Sequence, residues 1–134
     1  MSRENVESMR RAVEAFNRGD AAAFVALGTP DVEWEDAIFW SEGSRIYRGR
    51  DELRDWFAQV REPWERIQIA IEEIIETGHD RLVFGLRLTA RGSSSGADTR
   101  LEVWQVQWFR EGLTAKRRIF RDRAEALEAA RLSE

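Results

Sequence analysis

Asp36 closes the stretch "VEWED", with Trp34 just before it and Trp40 just after. Strand alternation puts Val32, Trp34 and Asp36 on one face and Glu33 and Glu35 on the other. A carboxylate among large apolar side chains has two readings. It is a general base that burial makes more basic, or it is an acid at a strand end that faces water and caps a turn. Few other residue types compete for chemistry. The 134 residues hold no cysteine and a single histidine, which excludes thiol catalysis, disulfides and thiolate or multi-histidine metal sites. His79 lies in "ETGHDR", a hairpin-turn composition, and is read as exposed. The remaining bases are carboxylates, and Asp36 is the one expected to point inward. Any reaction is then proton abstraction next to a carbonyl, or activation of water. No metal and no cofactor is expected.

Gln105 shares a strand face with Leu101, Val103 and Gln107, opposite Trp104, Val106 and Trp108. A buried amide donates to a carbonyl or developing enolate in any protonation state. Equally, its neighbours in a narrow cavity can satisfy it. Of the consecutive cations Lys116, Arg117 and Arg118, one must point in. Phe84, Leu86, Val103 and Ile119 offer an apolar wall, with Trp34 and Phe57 on neighbouring elements. Trp40 and Tyr47 fall in the loop after the acid strand, at the mouth of such a site, where ligand contacts concentrate. The expected ligand is a small hydrophobic molecule, cyclic and carrying one carbonyl or hydroxyl.

These residues need elements to hold them. Val6, Met9, Val13 and Phe16 recur at helical spacing, and Gly19 stops that helix. Asp20 can cap a second short helix, "AAAFVAL", ended by Gly28 and Pro30. "DVEWED" alternates as a strand, and a loop runs from it to Gly49. Asp51 can cap a third helix that buries Leu53, Trp56, Phe57 and Val60 and stops at Pro63. From Trp64 the period becomes two. Ile74 and Ile75 cannot share a face, so a β-bulge is predicted at Glu72–Glu73. "TGHD", "RGSSSGAD" and "REG" then separate long strands, and Asp122 and Glu125 open a last helix to Leu132.

Helices followed by four long strands indicate one α+β domain over residues 1–134, a curved antiparallel sheet with the helices packed on one face. The N-terminal helices close the concave side and leave a conical cavity. The net charge of −4 gives no general attraction to nucleic acid. No run approaches a membrane span, and the N-terminus lacks an apolar signal segment, so a cytoplasmic protein is expected. Trp104, Val106 and Trp108 would form an exposed apolar stripe in a monomer, so a homodimer through that face is predicted.

The segments "AFNRGD", "PDVEWED", "YRGRDELRDWF" and "FREGLTAKRRIFRDRAEALEAA" together span nearly the whole chain. In them the sequence resembles the SnoaL-like, ketosteroid isomerase-like branch of the nuclear-transport-factor-2-like superfamily. The resemblance implies that fold and a homodimer, and it covers isomerases, polyketide cyclases, hydrolases and members that only bind or scaffold. It places Asp36 where ketosteroid isomerases carry their general-base aspartate, and it points Arg117 inward beside Gln105. There Arg117 binds an anionic ligand or pairs with Asp36. The other positions depart: Ala12 and Phe57 stand for two pocket tyrosines, and Gln105 for the protonated aspartate. Steroid isomerisation is therefore not expected. Two functions stay open, a small isomerase-, cyclase- or hydrolase-type enzyme with Asp36 as base, or a non-catalytic ligand-binding or dimeric scaffold module.

Overall fold

The computed structural model describes residues 2–36 and 45–132. Helices α1 (Ser2–Arg18) and α2 (Ala21–Val25) lead into strand β1 (Gly28–Asp36). Strand β2 (Arg45–Arg48) and helix α3 (Gly49–Arg61) precede four long strands, β3 (Trp64–Gly78), β4 (Arg81–Gly92), β5 (Asp98–Arg110) and β6 (Leu113–Phe120). Helix α4 (Arg123–Leu132) follows. The strands form one curved sheet in the order β2-β1-β6-β5-β4-β3. Every neighbouring pair is antiparallel except β1 with β6, which is parallel.

Local chemistry explains most boundaries. Helix α1 buries Met9, Ala12, Ala15 and Phe16 on one face and ends at Gly19, whose φ of 75° suits a residue without Cβ. The Asp20 carboxylate accepts the Ala23 N–H at 3.0 Å and caps α2. Ile71 pairs with Leu86 and Glu73 with Gly85, so Glu72 is the extra residue of a bulge, where the phase break predicted it. Glu111 and Gly112, both at positive φ (53° and 78°), make the two-residue turn between β5 and β6.

Three boundaries differ from the sequence reading. Strand β1 starts at Gly28 rather than Asp31. Pro30 is tolerated there because β1 advances five positions, from Gly28 to Glu33, while β6 advances two, from Thr114 to Lys116, and the irregular stretch needs no ladder N–H. The segment before Gly49 contains β2, held by pairs such as Trp34 with Tyr47. Asp51 does not cap α3. The helix starts straight out of β2, and Glu52 Oε1 accepts the Arg48 N–H at 2.8 Å instead.

Helices α1 to α3 cover the concave face, where Phe16, Phe24, Trp34, Trp56 and Phe57 pack with Val32 and Leu53. Asn17 ties α1 to the edge strand: its amide donates to the Ile69 carbonyl at 3.0 Å and accepts the Ile69 N–H at 2.8 Å. It thereby satisfies a backbone unit that an open edge would leave unpaired. The convex face is not bare. Helix α4 lays Ala126 and Ala130 on Val83 and Val106, with Trp104 and Trp108 alongside. The expected open stripe is thus covered by the chain's own last helix. Val106 is fully buried, and Trp104 and Trp108 are half-buried. Trp104 lies across Gly85, where an added Cβ would meet its ring at 2.7 Å. No helix among the described residues is long and apolar enough to cross a membrane.

Candidate active site

Asp36 ends β1 fully buried, on the same face as Val32 and Trp34. Its Oδ2 accepts the Trp56 indole N–H at 2.7 Å. Its Oδ1 is buried without a hydrogen-bond partner among the described residues. Helix α3 supplies Trp56 because that residue belongs to its apolar stripe, so a side chain that reads as core is also the donor that orients the acid. Asp36 is the one fully buried carboxylate among the described residues, and Arg117 the one buried cation.

Arg117 reaches the same end of the interior from β6. Its Nε donates to Gln105 Oε1 at 3.1 Å and its Nη1 to the Glu35 carbonyl at 2.6 Å. The guanidinium lies 4.4 Å from the ring centre of Trp34 and 5.6 Å from that of Trp56. Burial pushes its pKa down to about 10, against the opposing pull of Asp36 and then of Glu35. It is still a cation at neutral pH. No ion pair within 4 Å joins Arg117 to Asp36 among the described residues, so the expected alternative of a direct pair does not form.

Gln105 does not present a free amide. Its Nε2 donates to Gln107 Oε1 at 2.6 Å, with Met9 Sδ at 3.9 Å, and Gln107 Nε2 donates to Thr114 Oγ1 at 2.6 Å. The result is a chain of aligned dipoles running from Arg117 to Thr114, and it fixes both amides in one orientation. A glutamine that already donates to a neighbour is a poor oxyanion donor. Its visible work is to hold Arg117.

Of the spaces that border these groups, two are walled in part by Trp56. An interior cavity of about 50 Å³ is walled by Leu86, Val103 and Ile119, by Trp34 and Trp56, and by the polar residues Gln105, Gln107, Thr114 and Arg117. It exceeds the room one water needs but is far below the roughly 300 Å³ at which drug-sized sites begin. A second pocket of about 220 Å³ is lined by Asp36, Tyr47, Trp56, Gln59, Val60, Pro63 and Trp64. Trp56 and Val60 belong to both walls, so Asp36 sits across Trp56 from the apolar cavity and not on its wall.

The other residues singled out from sequence divide accordingly. Tyr47 lines the second pocket, fully buried, and its hydroxyl donates to Gln59 at 3.0 Å. Phe57 and Phe84 line neither space. Phe57 turns into the rings of Phe16 and Phe24, and Phe84 packs with Met9, Leu82 and Phe109. Trp40 lies outside the described residues. Trp56, Gln107 and Thr114 are the polar partners that sequence reasoning missed. Gln107 alone had a signal, its position two residues after Gln105 on the same face.

Comparison with known proteins agrees with this architecture. The family description that matches is the SnoaL-like domain, over residues 9–117. Among curated proteins no sequence matches the chain. Solved structures do. An NTF2-like protein from Burkholderia pseudomallei is 25% identical with a TM-score of 0.77, covering 93% of this chain and 95% of that one. The epoxide hydrolase/cyclase-like enzyme SalBIII of pyran ring formation in salinomycin is 16% identical, with a TM-score of 0.76 and coverage of 92% and 94%. A Mycobacterium tuberculosis protein in complex with estradiol-17beta-hemisuccinate is 14% identical, with a TM-score of 0.74 and coverage of 90% and 95%. At these identities the last two share the fold alone.

Proposed function

The chain belongs to the SnoaL-like domain family, and within it we propose an enzyme that binds a small, largely apolar carbonyl compound and uses Asp36 as general base. One observation carries the reading. The Asp36 carboxylate has Oδ2 held by Trp56 at 2.7 Å, while Oδ1 is buried and unpartnered among the described residues. Buried polar atoms in native proteins nearly always have partners, so an oriented carboxylate with one idle oxygen calls for an explanation. A base waiting for a carbon-bound proton or a water supplies one.

The substrate body fits the pocket of about 220 Å³ beside Asp36, and its polar end enters the cavity of about 50 Å³ across Trp56. These volumes favour a compact molecule over a steroid-sized one. Arg117, protonated and fixed by Gln105, supplies positive potential where negative charge develops. Two structures of the same fold are in keeping with a small-molecule ligand, one in complex with estradiol-17beta-hemisuccinate and one named as epoxide hydrolase/cyclase-like. Homodimerisation belongs to the proposal through the half-buried Trp104 and Trp108 at the margin of α4 rather than through an open stripe. Light scattering that finds a monomer at micromolar concentration overturns it.

The base is tested without knowing the natural substrate. In deuterated buffer the protein should accelerate exchange of the α-protons of cyclohexanone, followed by proton NMR. Asp36→Asn should lose roughly a hundred- to ten-thousand-fold of that rate while ketone affinity changes little. Undiminished exchange in Asp36→Asn ends the base assignment.

A further inference from the structure

Two indoles meet near Asp36, and they are spent differently. The Trp34 and Trp56 rings lie 4.9 Å apart. Trp56 uses its N–H on Asp36. Trp34 Nε1 is buried and has no hydrogen-bond partner among the described residues, although its ring lines the interior cavity. Trp34 is 6% exposed, so water at the surface does not serve that donor. An indole N–H only donates and does not titrate in the physiological range. The Arg117 guanidinium 4.4 Å from the ring centre draws on the π-density and polarises the N–H further.

We propose that Trp34 Nε1 is the hydrogen-bond donor for the substrate's carbonyl oxygen, paired on the same strand face with Asp36 Oδ1 as the base. This rests on the general-base reading of Asp36. The idle donor and the idle acceptor belong to residues two apart on β1, whose Cα atoms stand about 6.5–7 Å apart in a strand. A carbonyl compound held between the two atoms must meet three distances. Its oxygen sits about 2.9 Å from a donor. Its α-carbon lies about 2.4 Å from that oxygen by ordinary bond lengths. The base approaches that carbon at about 3–3.5 Å. When the C–H bond breaks, its proton goes to Asp36 Oδ1, its electron pair forms the C=C of the enolate, and the oxygen gains the charge that Trp34 receives. Returning a proton to carbon regenerates the carbonyl and the free carboxylate. The assignment also accounts for the fold managing without Gln105 as a donor, since that amide is already committed to Gln107.

Trp34→Phe tests the donor, because it keeps an aromatic ring against Arg117 and Phe24 while deleting the N–H together with part of the indole. The probes are cyclohexanone and methylcyclohexane. The bound ketone's infrared carbonyl band should lie at lower frequency in the unaltered protein than in Trp34→Phe. Cyclohexanone α-proton exchange should fall about 100-fold in Trp34→Phe, and methylcyclohexane affinity should stay unchanged. In the unaltered protein the Trp34 indole N–H resonance should move downfield with cyclohexanone and not with methylcyclohexane, which keeps the test available if Trp34→Phe folds poorly. An unshifted carbonyl band, or an indole resonance blind to the ketone, overturns the donor role even if Asp36→Asn has lost exchange. Loss of the band shift in Trp34→Phe, in a protein that shows no exchange at all, upholds the donor and removes the base. Failure of cyclohexanone to bind overturns both.

Discussion

Strand β5 presents two contrasting faces to two sets of helices. Its concave side carries Val103, Gln105 and Gln107 beneath α1 to α3, while its convex side carries Trp104, Val106 and Trp108 beneath α4. The concave side buries Asp36, Gln105, Gln107, Thr114 and Arg117 and keeps a cavity of about 50 Å³. The convex side is covered by alanines at one helical turn's spacing, and the buried residues of that cluster are all apolar. Small side chains let α4 approach closely and dryly. A curved sheet roofed by bulky aromatics cannot close so tightly, and the residual space accommodates polar groups that satisfy one another. The difference shows how one strand can serve stability on one side and chemistry on the other.

The largest effect should come from the charge at the concave end. Arg117→Met removes a buried cation that holds Gln105 and the Glu35 carbonyl and leaves Asp36 without its countercharge. Stability should fall by about 3–5 kcal/mol, read by urea denaturation. A loss below about 1 kcal/mol would show that the polar network is dispensable to the fold and break the contrast drawn above.

Packing provides the next test, with opposite signs on the two faces. Ala130→Leu forces a larger side chain between α4 and Val83 or Val106 and should cost about 1–3 kcal/mol. Val103→Ile adds one methylene toward the cavity and should be neutral or stabilising, since there is unfilled volume to receive it. Equal penalties for the two, measured as shifts in Tm, would mean the concave side is as tightly filled as the convex one.

The smallest effect concerns the support of the aromatic roof. The Ala23 N–H, and to a lesser extent Arg18, hold the Asp20 carboxyl below its ordinary pKa. A depressed carboxylate stabilises the fold above its unfolded pKa, and that contribution is lost as pH falls through the folded value. Asp20→Ala should therefore lower Tm at neutral pH. The gap should close as the pH is taken below the ordinary carboxylate range. A gap that persists in acid would attribute the effect to something other than the charged cap.

How much of this was legible in the residues depends on the range of the interaction. The bulge at Glu72 followed from the adjacency of Ile74 and Ile75, and the α2 cap from Asp20 standing just after Gly19, because both are local clashes or local bonds. Strand β2 was not legible. "RIYR" is too short to announce itself and exists by pairing with β1. The inward turn of Arg117 was expected from its two cationic neighbours and the resemblance, but its seat against the Trp34 and Trp56 rings was not.

The sequence by itself determined the apolar periodicities, the turns, the absence of thiol and multi-histidine chemistry, and a single acid on the inward phase of β1. Each depends on residues within a few positions of one another, where backbone geometry leaves little choice. Only the tertiary structure decided that Trp56, twenty residues away, would hold one oxygen of Asp36 and leave the other idle. It also decided that Gln105 would spend its amide on Gln107 and that α4 would cover the tryptophan face. A hydrogen bond or a packed face needs two partners at contact distance. For partners far apart in the chain, that distance is set by how the sheet curves and which helix lands on which side.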